Sequence, residues 1–183
     1  MTPLRLFHIS FKGDLEGLWT PRNPDGLEPT DDGYKSEAYP EPLLPRISCA
    51  PTIIQCFQAI YANVKHYFDD KKYPYMEFYV YSPVLKGNEK ILTPEVLTRK
   101  KMVHDAFLTK EHAICSPVKM ELLARIKISN IKQVEKIYYH PFNDEKKEKD
   151  SWIPGGFDYS VIHKYKNVVL EELSIQKPIF VNW

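Results

Sequence analysis

The stretch from residue 46 to residue 64, RISCAPTIIQCFQAIYANV, limits the possible folds of this chain most strongly, because a short strand leads there directly into an amphipathic helix. Pro51 is tolerated in a first helical turn, and Thr52 and Gln55 have the spacing of a capping box, so the helix is predicted to begin here. The apolar side chains that follow recur with the 3.6-residue period of a helix, so one face of the helix is predicted to pack on a sheet or on other helices. These side chains are Ile53, Ile54, Phe57, Ile60, Tyr61 and Val64.

Residues 47–50, directly before the helix, are short, mostly apolar and bounded by prolines, and they predict a buried strand. This strand places Ser48 close to the start of the helix, with Thr52 as the predicted N-cap. Ligands often bind where a strand leads into a helix, so both hydroxyl groups are candidate binding groups. A serine before a helix is more often a cap, and this interpretation stays open.

Four other segments have strand patterns. Residues 4–11 and 111–118 are rich in strand-forming types, and residues 75–81 alternate, with Met, Phe and Val against Tyr and Glu. The strictest alternation covers residues 119–128, where Leu123 is predicted to point outward and a second set inward: Met120, Leu122, Ala124, Ile126 and Ile128. Together with few helices, these patterns predict an α+β fold with mixed, mainly antiparallel strands. Residues 20–45, rich in Pro, Asp and Glu, predict one long loop of the kind that often covers a binding site.

The composition favours a single domain over residues 1–183, since a hydrophobic content of 43% is enough for one full core. A formal net charge of +1 gives no overall basic field of the kind that nucleic-acid-binding proteins carry. The three cysteines form no CxxC pair, and the sequence contains no secretory signal or membrane-length apolar run. We therefore expect a cytoplasmic protein with no metal site and no membrane contact.

Few residues are candidates for chemistry. They are His8 near the end of the first strand, Ser48 and Thr52 at the junction of strand and helix, and Glu111 at the start of a later strand. None lies in a P-loop, GxGxxG, GxSxG or HExxH motif. A histidine near a strand end is more often structural than catalytic, so none of these groups assigns a function alone.

Their order is more informative than any one of them. LFHIS is followed by a loop containing Arg22, by RISCAP leading into a helix, by YMEFYVY, and by a glutamate that opens EHAICSPVKMELLARIKI. This order resembles the catalytic core of the ADP-ribosyltransferase fold. In that family the first strand ends in a His-x-Ser/Thr motif, a strand just before a helix carries Tyr or Ser, and a later strand starts with glutamate. The resemblance covers about residues 4–128 and implies a split β-sheet core, with residues 129–183 as a C-terminal extension.

The resemblance implies NAD as substrate and three catalytic residues: Glu111, His8 and Ser48. Glu111 would accept a hydrogen bond from the 2′-hydroxyl of the nicotinamide-side ribose, His8 would bind the adenine-side ribose, and Ser48 would lie beside the nicotinamide. Breaking the bond to nicotinamide creates an oxocarbenium-like ribosyl cation. A carboxylate fixed beside that sugar stabilises the positive charge where it develops.

Further contacts to NAD are expected from neighbouring residues. Ser10 would lie near the adenine-side ribose, Arg22 would face the pyrophosphate from a loop that also brings Trp19, and Thr52 belongs to the same site. Ile9 stands where poly-ADP-ribose polymerases have a glycine that lets the backbone approach nicotinamide. Ser48 replaces a tyrosine, and Tyr61 or Tyr79 would have to supply the lost stacking surface. A second carboxylate, Glu121, lies among Lys119, Arg125 and Lys127 on a polar strand face, where surface pairing is its expected role.

Several functions stay open on the sequence. The first is an ADP-ribosyltransferase that modifies an unknown acceptor, protein or nucleic acid, or a relative with the same fold and ligand, such as an RNA 2′-phosphotransferase. The second is a catalytically inactive accessory or interaction protein of a phage or mobile element that keeps the fold as a scaffold. The third is a nucleic-acid binder that uses Lys71, Lys72 and residues 99–101 with the neighbouring tyrosines.

Overall fold

A computed structural model describes residues 4–23, 44–60, 64, 66–68, 73–103, 105–135, 138–139, 147–148 and 152–165. Within these ranges the strands are β1 (His8–Ser10), β2 (Gly17–Trp19), β3 (Ile47–Cys49), β4 (Met76–Pro83), β5 (Ile91–Leu92), β6 (His112–Ile114), β7 (Val118–Glu135), β8 (Tyr138–Tyr139), β9 (Lys147–Glu148) and β10 (Trp152–Lys164). Three helices have defined bounds: α1 (Ile53–Ala59), α2 (Pro94–Arg99) and α3 (Ala106–Thr109). Residues 64 and 66–68 are helical as well. None of the helices in this part of the chain is long and apolar enough to cross a bilayer.

Two antiparallel sheets organise the described chain. The larger has the strand order β1-β4-β7-β10, with β2 also paired to β7, and the smaller has the order β3-β6-β5. A short ladder of β8 and β9 stands apart. The prediction of an α+β fold with mainly antiparallel strands and few helices is confirmed. Neither β2 nor β5 was predicted, because each has only two or three residues and lies in no longer segment with a strand pattern.

An antiparallel bridge joins the first strands of the two sheets edge to edge. The amide of Phe7 donates to the carbonyl of Ala50 at 2.8 Å, and the amide of Ala50 donates to the carbonyl of Phe7 at 2.9 Å. Phe7 directly precedes β1, and Ala50 directly follows β3. The bridge therefore fixes the first strand of one sheet against the first strand of the other, with His8 and Ser48 close to the join.

Helix α1 begins as the capping box predicts. The hydroxyl oxygen of Thr52 accepts a hydrogen bond from the Gln55 amide at 3.2 Å, which satisfies one of the amides left unpaired in the first turn. The apolar face of the helix packs on the larger sheet, where Phe57 meets Phe78 edge to face at 4.9 Å. Both rings are fully buried, and each such side chain contributes about 1.5 to 3 kcal/mol to folding.

One predicted orientation on the long strand is wrong. Leu123, expected to point outward, is only 5% exposed. Val80 pairs with Ala124 and Tyr81 pairs with Leu122, so Leu123 is an extra residue in a β-bulge. The bulge shifts the alternation by one residue, which buries Tyr81 completely although the pattern placed it on the face opposite Met76, Phe78 and Val80. Before the bulge, Phe78 and Val80 of β4 pack in one hydrophobic cluster with α1. After the bulge, Tyr81 packs in a separate cluster with Met120 and Leu122 of β7.

Strand β7 runs without a break through the boundary expected at residue 128. Trp152 of β10 lies opposite Glu135, and Lys164 lies opposite Ala124, so β10 pairs with β7 on both sides of that boundary. A large part of the segment interpreted as a C-terminal extension therefore belongs to the main sheet. Residues 166–183 lie outside the described residues.

Candidate active site

The structure brings three of the predicted site residues together at the join between the sheets. His8 is the first residue of β1, Ser48 is the middle residue of β3, and Glu111 immediately precedes β6. Because β3 and β6 pair antiparallel, with Cys49 opposite His112, the start of β6 lies beside the end of β3. This register places the Glu111 carboxylate within reach of the Ser48 side chain.

The Glu111 carboxylate is held by two donors. Ser48 Oγ donates to Oε1 of Glu111 at 2.7 Å, and Nε of Arg46 lies 3.1 Å from the same oxygen. The guanidinium also bonds the serine, with Arg46 Nε 3.3 Å from Ser48 Oγ. The side chains of Arg46 and Glu111 are only 6% and 9% exposed, so this is a buried ion pair. Breaking such a pair by removing one partner costs about 3 to 5 kcal/mol, and the carboxylate is correspondingly well fixed.

Sequence reasoning missed Arg46 as a site residue. Arg46 and Ser48 are two positions apart in an extended segment, and such residues point to the same face of a strand. That spacing was the available signal, because it places a cation beside the candidate hydroxyl. The Arg46 backbone also forms a bridge with Arg22, whose carbonyl accepts from the Arg46 amide at 2.8 Å.

His8 enters the site as a neutral imidazole. Its Nδ1 lies 2.8 Å from the carbonyl oxygen of Ser48, and because a carbonyl can only accept, Nδ1 carries the proton. Burial lowers the pKa of His8 below its ordinary value, the Ser48 carbonyl opposes this effect, and the nearby positive charge of Arg22 lowers the pKa further. The second ring nitrogen, Nε2, is therefore a hydrogen-bond acceptor near neutral pH.

These side chains line one small cavity of about 70 Å³. Its polar wall consists of His8, Ser48, Thr109 and Glu111, and its apolar wall includes Ile9 and residues of α1. Pockets for drug-sized ligands usually measure roughly 300 to 1,000 Å³. In this conformation the cavity is therefore too small to enclose a dinucleotide, and it admits only a small part of one.

Two cysteines on the cavity wall are unsuited to nucleophilic chemistry. Burial raises the pKa of the Cys56 thiol to about 12, and it raises the pKa of Cys49 as well. The Cys56 thiol also donates to the carbonyl of Phe7 at 3.2 Å. Both groups therefore stay protonated near neutral pH, and the carboxylate and the imidazole are the reactive groups of this cavity.

Of the other residues predicted to contact NAD, some lie at or near the cavity and others do not. Ile9 lines the cavity, and Arg22 is close enough to His8 to influence its pKa. Ser10 lies on β1 but accepts from the Lys12 amide at 3.1 Å, and Thr52 caps α1. Neither hydroxyl belongs to the cavity wall. Tyr61 and residues 24–43 of the predicted loop lie outside the described residues.

Trp19 and Glu121, which the sequence also marked as candidates, both lie in described strands. Trp19 is the last residue of β2, and its ring meets the His8 ring edge to face at 5.0 Å. The second candidate carboxylate, Glu121, pairs with Lys119 at 3.3 Å on the surface, which is the role expected for it. Among the described residues, no group of three or more His, Cys, Asp or Glu side chains is arranged to hold a metal ion.

Comparisons with protein-family models, with curated proteins and with solved structures found no match to this chain. The function of the site must therefore be inferred from its own geometry. That geometry consists of a fixed buried carboxylate, a serine hydroxyl bonded to it, and a neutral imidazole, all on one cavity.

Proposed function

We propose that this chain is an ADP-ribosyltransferase that binds NAD at the join between its two sheets and transfers ADP-ribose to an acceptor. One observation carries the proposal. His8, Ser48 and Glu111 come from three distant parts of the chain and line the same cavity, with Ser48 in contact with both of the others. Their order and their strand positions are those that the resemblance implies.

The strand arrangement supports the same conclusion. The sheet is split, with β5, β6 and β3 on one side of the bridge between Phe7 and Ala50, and β1, β4, β7 and β10 on the other. The histidine lies on the first strand, the serine on a strand that leads directly into a helix, and the glutamate at the start of a later strand. A split sheet with these three positions at its join is the architecture expected of the ADP-ribosyltransferase core.

The contacts of Glu111 suit the proposed chemistry. When the bond between ribose C1′ and nicotinamide breaks, nicotinamide leaves with the bonding electrons and positive charge develops on the ribose. Glu111, oriented by Arg46 and Ser48, accepts a hydrogen bond from the 2′-hydroxyl and stabilises that charge. The acceptor then attacks C1′ and loses its proton. His8, with Nε2 as an acceptor, binds a ribose hydroxyl at the other end of the substrate.

Binding requires that the cavity open, because about 70 Å³ cannot enclose a dinucleotide. Trp19 is half-buried against the His8 ring and sits at the end of the three-residue strand β2. Trp19 does not line the cavity itself, but it covers His8 from outside, and we assign to it the movement that opens the cavity. Arg22, three residues further along, is the cation available for the pyrophosphate.

The small cavity also supports a second candidate function, an inactive protein that keeps the fold for interaction. In that case the pair of Arg46 and Glu111 is a purely structural ion pair, and the cavity stays closed. An RNA 2′-phosphotransferase would use the same substrate. It differs from a transferase acting on proteins only in requiring an RNA with a 2′-phosphate, which serves as one of the acceptors to be tried.

Release of nicotinamide from NAD tests the proposal. We expect release by the wild-type protein and a loss on the order of a hundredfold or more in Glu111→Gln, which keeps the side-chain volume but removes the negative charge. Glu121→Gln is the matched control, since it makes the same change at a surface carboxylate, and it should keep full activity. Absence of release with protein, RNA and 2′-phosphorylated RNA acceptors, together with an unchanged melting temperature in NAD, would favour the inactive protein.

A further inference from the structure

A larger cavity lies beyond the end of β1, beside the start of β4. It measures about 530 Å³, shares no wall residue with the small cavity, and is lined mainly by Phe11, Tyr67, Tyr73, Tyr75, Met76 and Glu77. We refer to the four rings, Phe11, Tyr67, Tyr73 and Tyr75, as the aromatic groove. Its volume lies within the roughly 300 to 1,000 Å³ that is usual for ligand sites.

The rings of the groove are held in place yet open to solvent. Tyr67 and Tyr73 are nearly parallel, with centroids 5.9 Å apart and an interplanar angle of 9°, and Phe11 packs against Phe78 at 4.6 Å. Even so, Phe11, Tyr73 and Tyr75 remain 53%, 49% and 45% exposed. Contiguous exposed aromatic surface of this kind marks an interaction site, because scattered exposure would not bring four rings together.

A lysine held against one ring of the groove points to an anionic ligand. The Lys127 ammonium lies 3.9 Å from the centroid of the Tyr75 ring, and the exposed Lys12 directly follows Phe11. The one carboxylate of the groove wall, Glu77, is paired with the guanidinium of Arg125. The carboxylate is therefore neutralised locally, which leaves Lys127 to set the sign of the potential beside the Tyr75 ring.

We propose that the aromatic groove binds single-stranded nucleic acid. Bases stack on the exposed rings of Phe11, Tyr73 and Tyr75, and Lys127 and Lys12 contact the phosphates, since aromatic rings interleaved with cations form the usual platform for single strands. A proline-rich peptide also docks on aromatic grooves, but it carries no phosphates for the lysines. The proposal goes beyond the transferase activity and holds whether or not the small cavity turns over NAD.

Fluorescence anisotropy with labelled 15-residue oligo-dT and oligo-rU tests this proposal on the full chain. We expect Tyr73→Ala and Tyr75→Ala each to weaken binding by about fivefold to a hundredfold, the range found for loss of one stacking partner. Tyr73→Phe keeps the ring and should bind like wild type. Lys127→Ala should reduce the slope of log K against log salt by about 0.7, the value of one phosphate contact on a single strand.

Two control variants separate this site from the other features of the molecule. Leu18→Ala removes an apolar side chain that is 73% exposed on β2, outside the groove, and Glu111→Gln alters the small cavity. Both should bind the oligonucleotides like wild type, and circular dichroism should show every variant folded. Failure of the wild type to bind, equal binding by the folded alanine variants, or tighter binding of a proline-rich peptide or of AMP would overturn the proposal.

Discussion

Ser48 Oγ lies 2.7 Å from Oε1 of Glu111, although 63 positions separate the two residues in the chain. The hydroxyl donates to a carboxylate that also faces the Arg46 guanidinium, and the serine's own carbonyl accepts from His8. Ser48 thus connects the imidazole of one sheet to the carboxylate of the other. Substitutions at these residues test whether this connection serves catalysis, stability, or both.

Removing the Ser48 hydroxyl should weaken both stability and activity. Ser48→Ala leaves the buried Glu111 oxygen without one donor, and loss of such a bond costs about 1 to 3 kcal/mol. We expect urea unfolding to show a destabilisation of this size and nicotinamide release to fall by about tenfold. Ser48→Thr keeps a hydroxyl and should recover much of both. If Ser48→Ala matched the wild type in both measurements, the hydrogen bond would have no role.

Arg46→Met should be far more damaging to stability than a change in a surface ion pair. It leaves Glu111 buried without its cation, which costs about 3 to 5 kcal/mol. The control is Lys119→Met, which breaks the exposed pair with Glu121, where about 1 kcal/mol or less is expected. Combining Arg46→Met with Glu111→Gln should restore part of the lost stability. Additive effects of the two changes would show that the pair is not coupled.

Protonation of His8 should make the folded state less stable as the pH falls. The pKa of His8 is lowered from its ordinary value of 6.5, so the unfolded chain binds this proton more readily than the folded chain. The contribution of neutral His8 to folding stability is therefore complete above pH 6.5. It is lost as the pH drops through 6.5 toward the lower pKa of the folded state. We expect the melting temperature to fall as the pH drops below about 6.5, and to fall less in His8→Gln. Identical pH profiles for the two proteins would contradict this assignment.

The β-bulge at Leu123 predicts an unusual sensitivity on a strand face that the sequence pattern marks as outward. Leu123→Ala should destabilise the fold by about 2 to 5 kcal/mol, as for other large-to-small changes in a core. Leu18→Ala, at an exposed leucine, should change the stability by about 0.5 kcal/mol or less. Similar, small effects at both leucines would show that residue 123 lies on the surface.

The sequence predicted features that rest on local patterns. The start of α1 followed from Thr52 and Gln55, because a capping box is encoded within four residues. The strands at residues 75–81 and 119–128 followed from alternation, which every second residue repeats. The coarse fold class followed from these elements together.

Features that depend on pairing between distant strands could not be predicted from local sequence patterns. The bulge at Leu123 arises from the register between β4 and β7, and no local pattern records that register. The spacing of Arg46 and Ser48 was readable in the sequence, but the contact of Arg46 with Glu111 depends on the pairing of β3 with β6. The aromatic groove likewise forms because residues after β1 and before β4 come together, whereas the sequence shows only separate aromatic residues.

Calorimetric titration of NAD into the wild-type protein and into His8→Ala and Glu111→Gln tests the central claim most directly. The claim predicts one saturable site in the wild type, with binding weakened by at least about tenfold in each variant, since each removes a group expected to contact a ribose hydroxyl. Glu121→Gln should bind NAD like wild type. A wild-type protein that takes up no NAD, or one whose affinity is the same after both substitutions, would contradict the claim that this cavity is an NAD site.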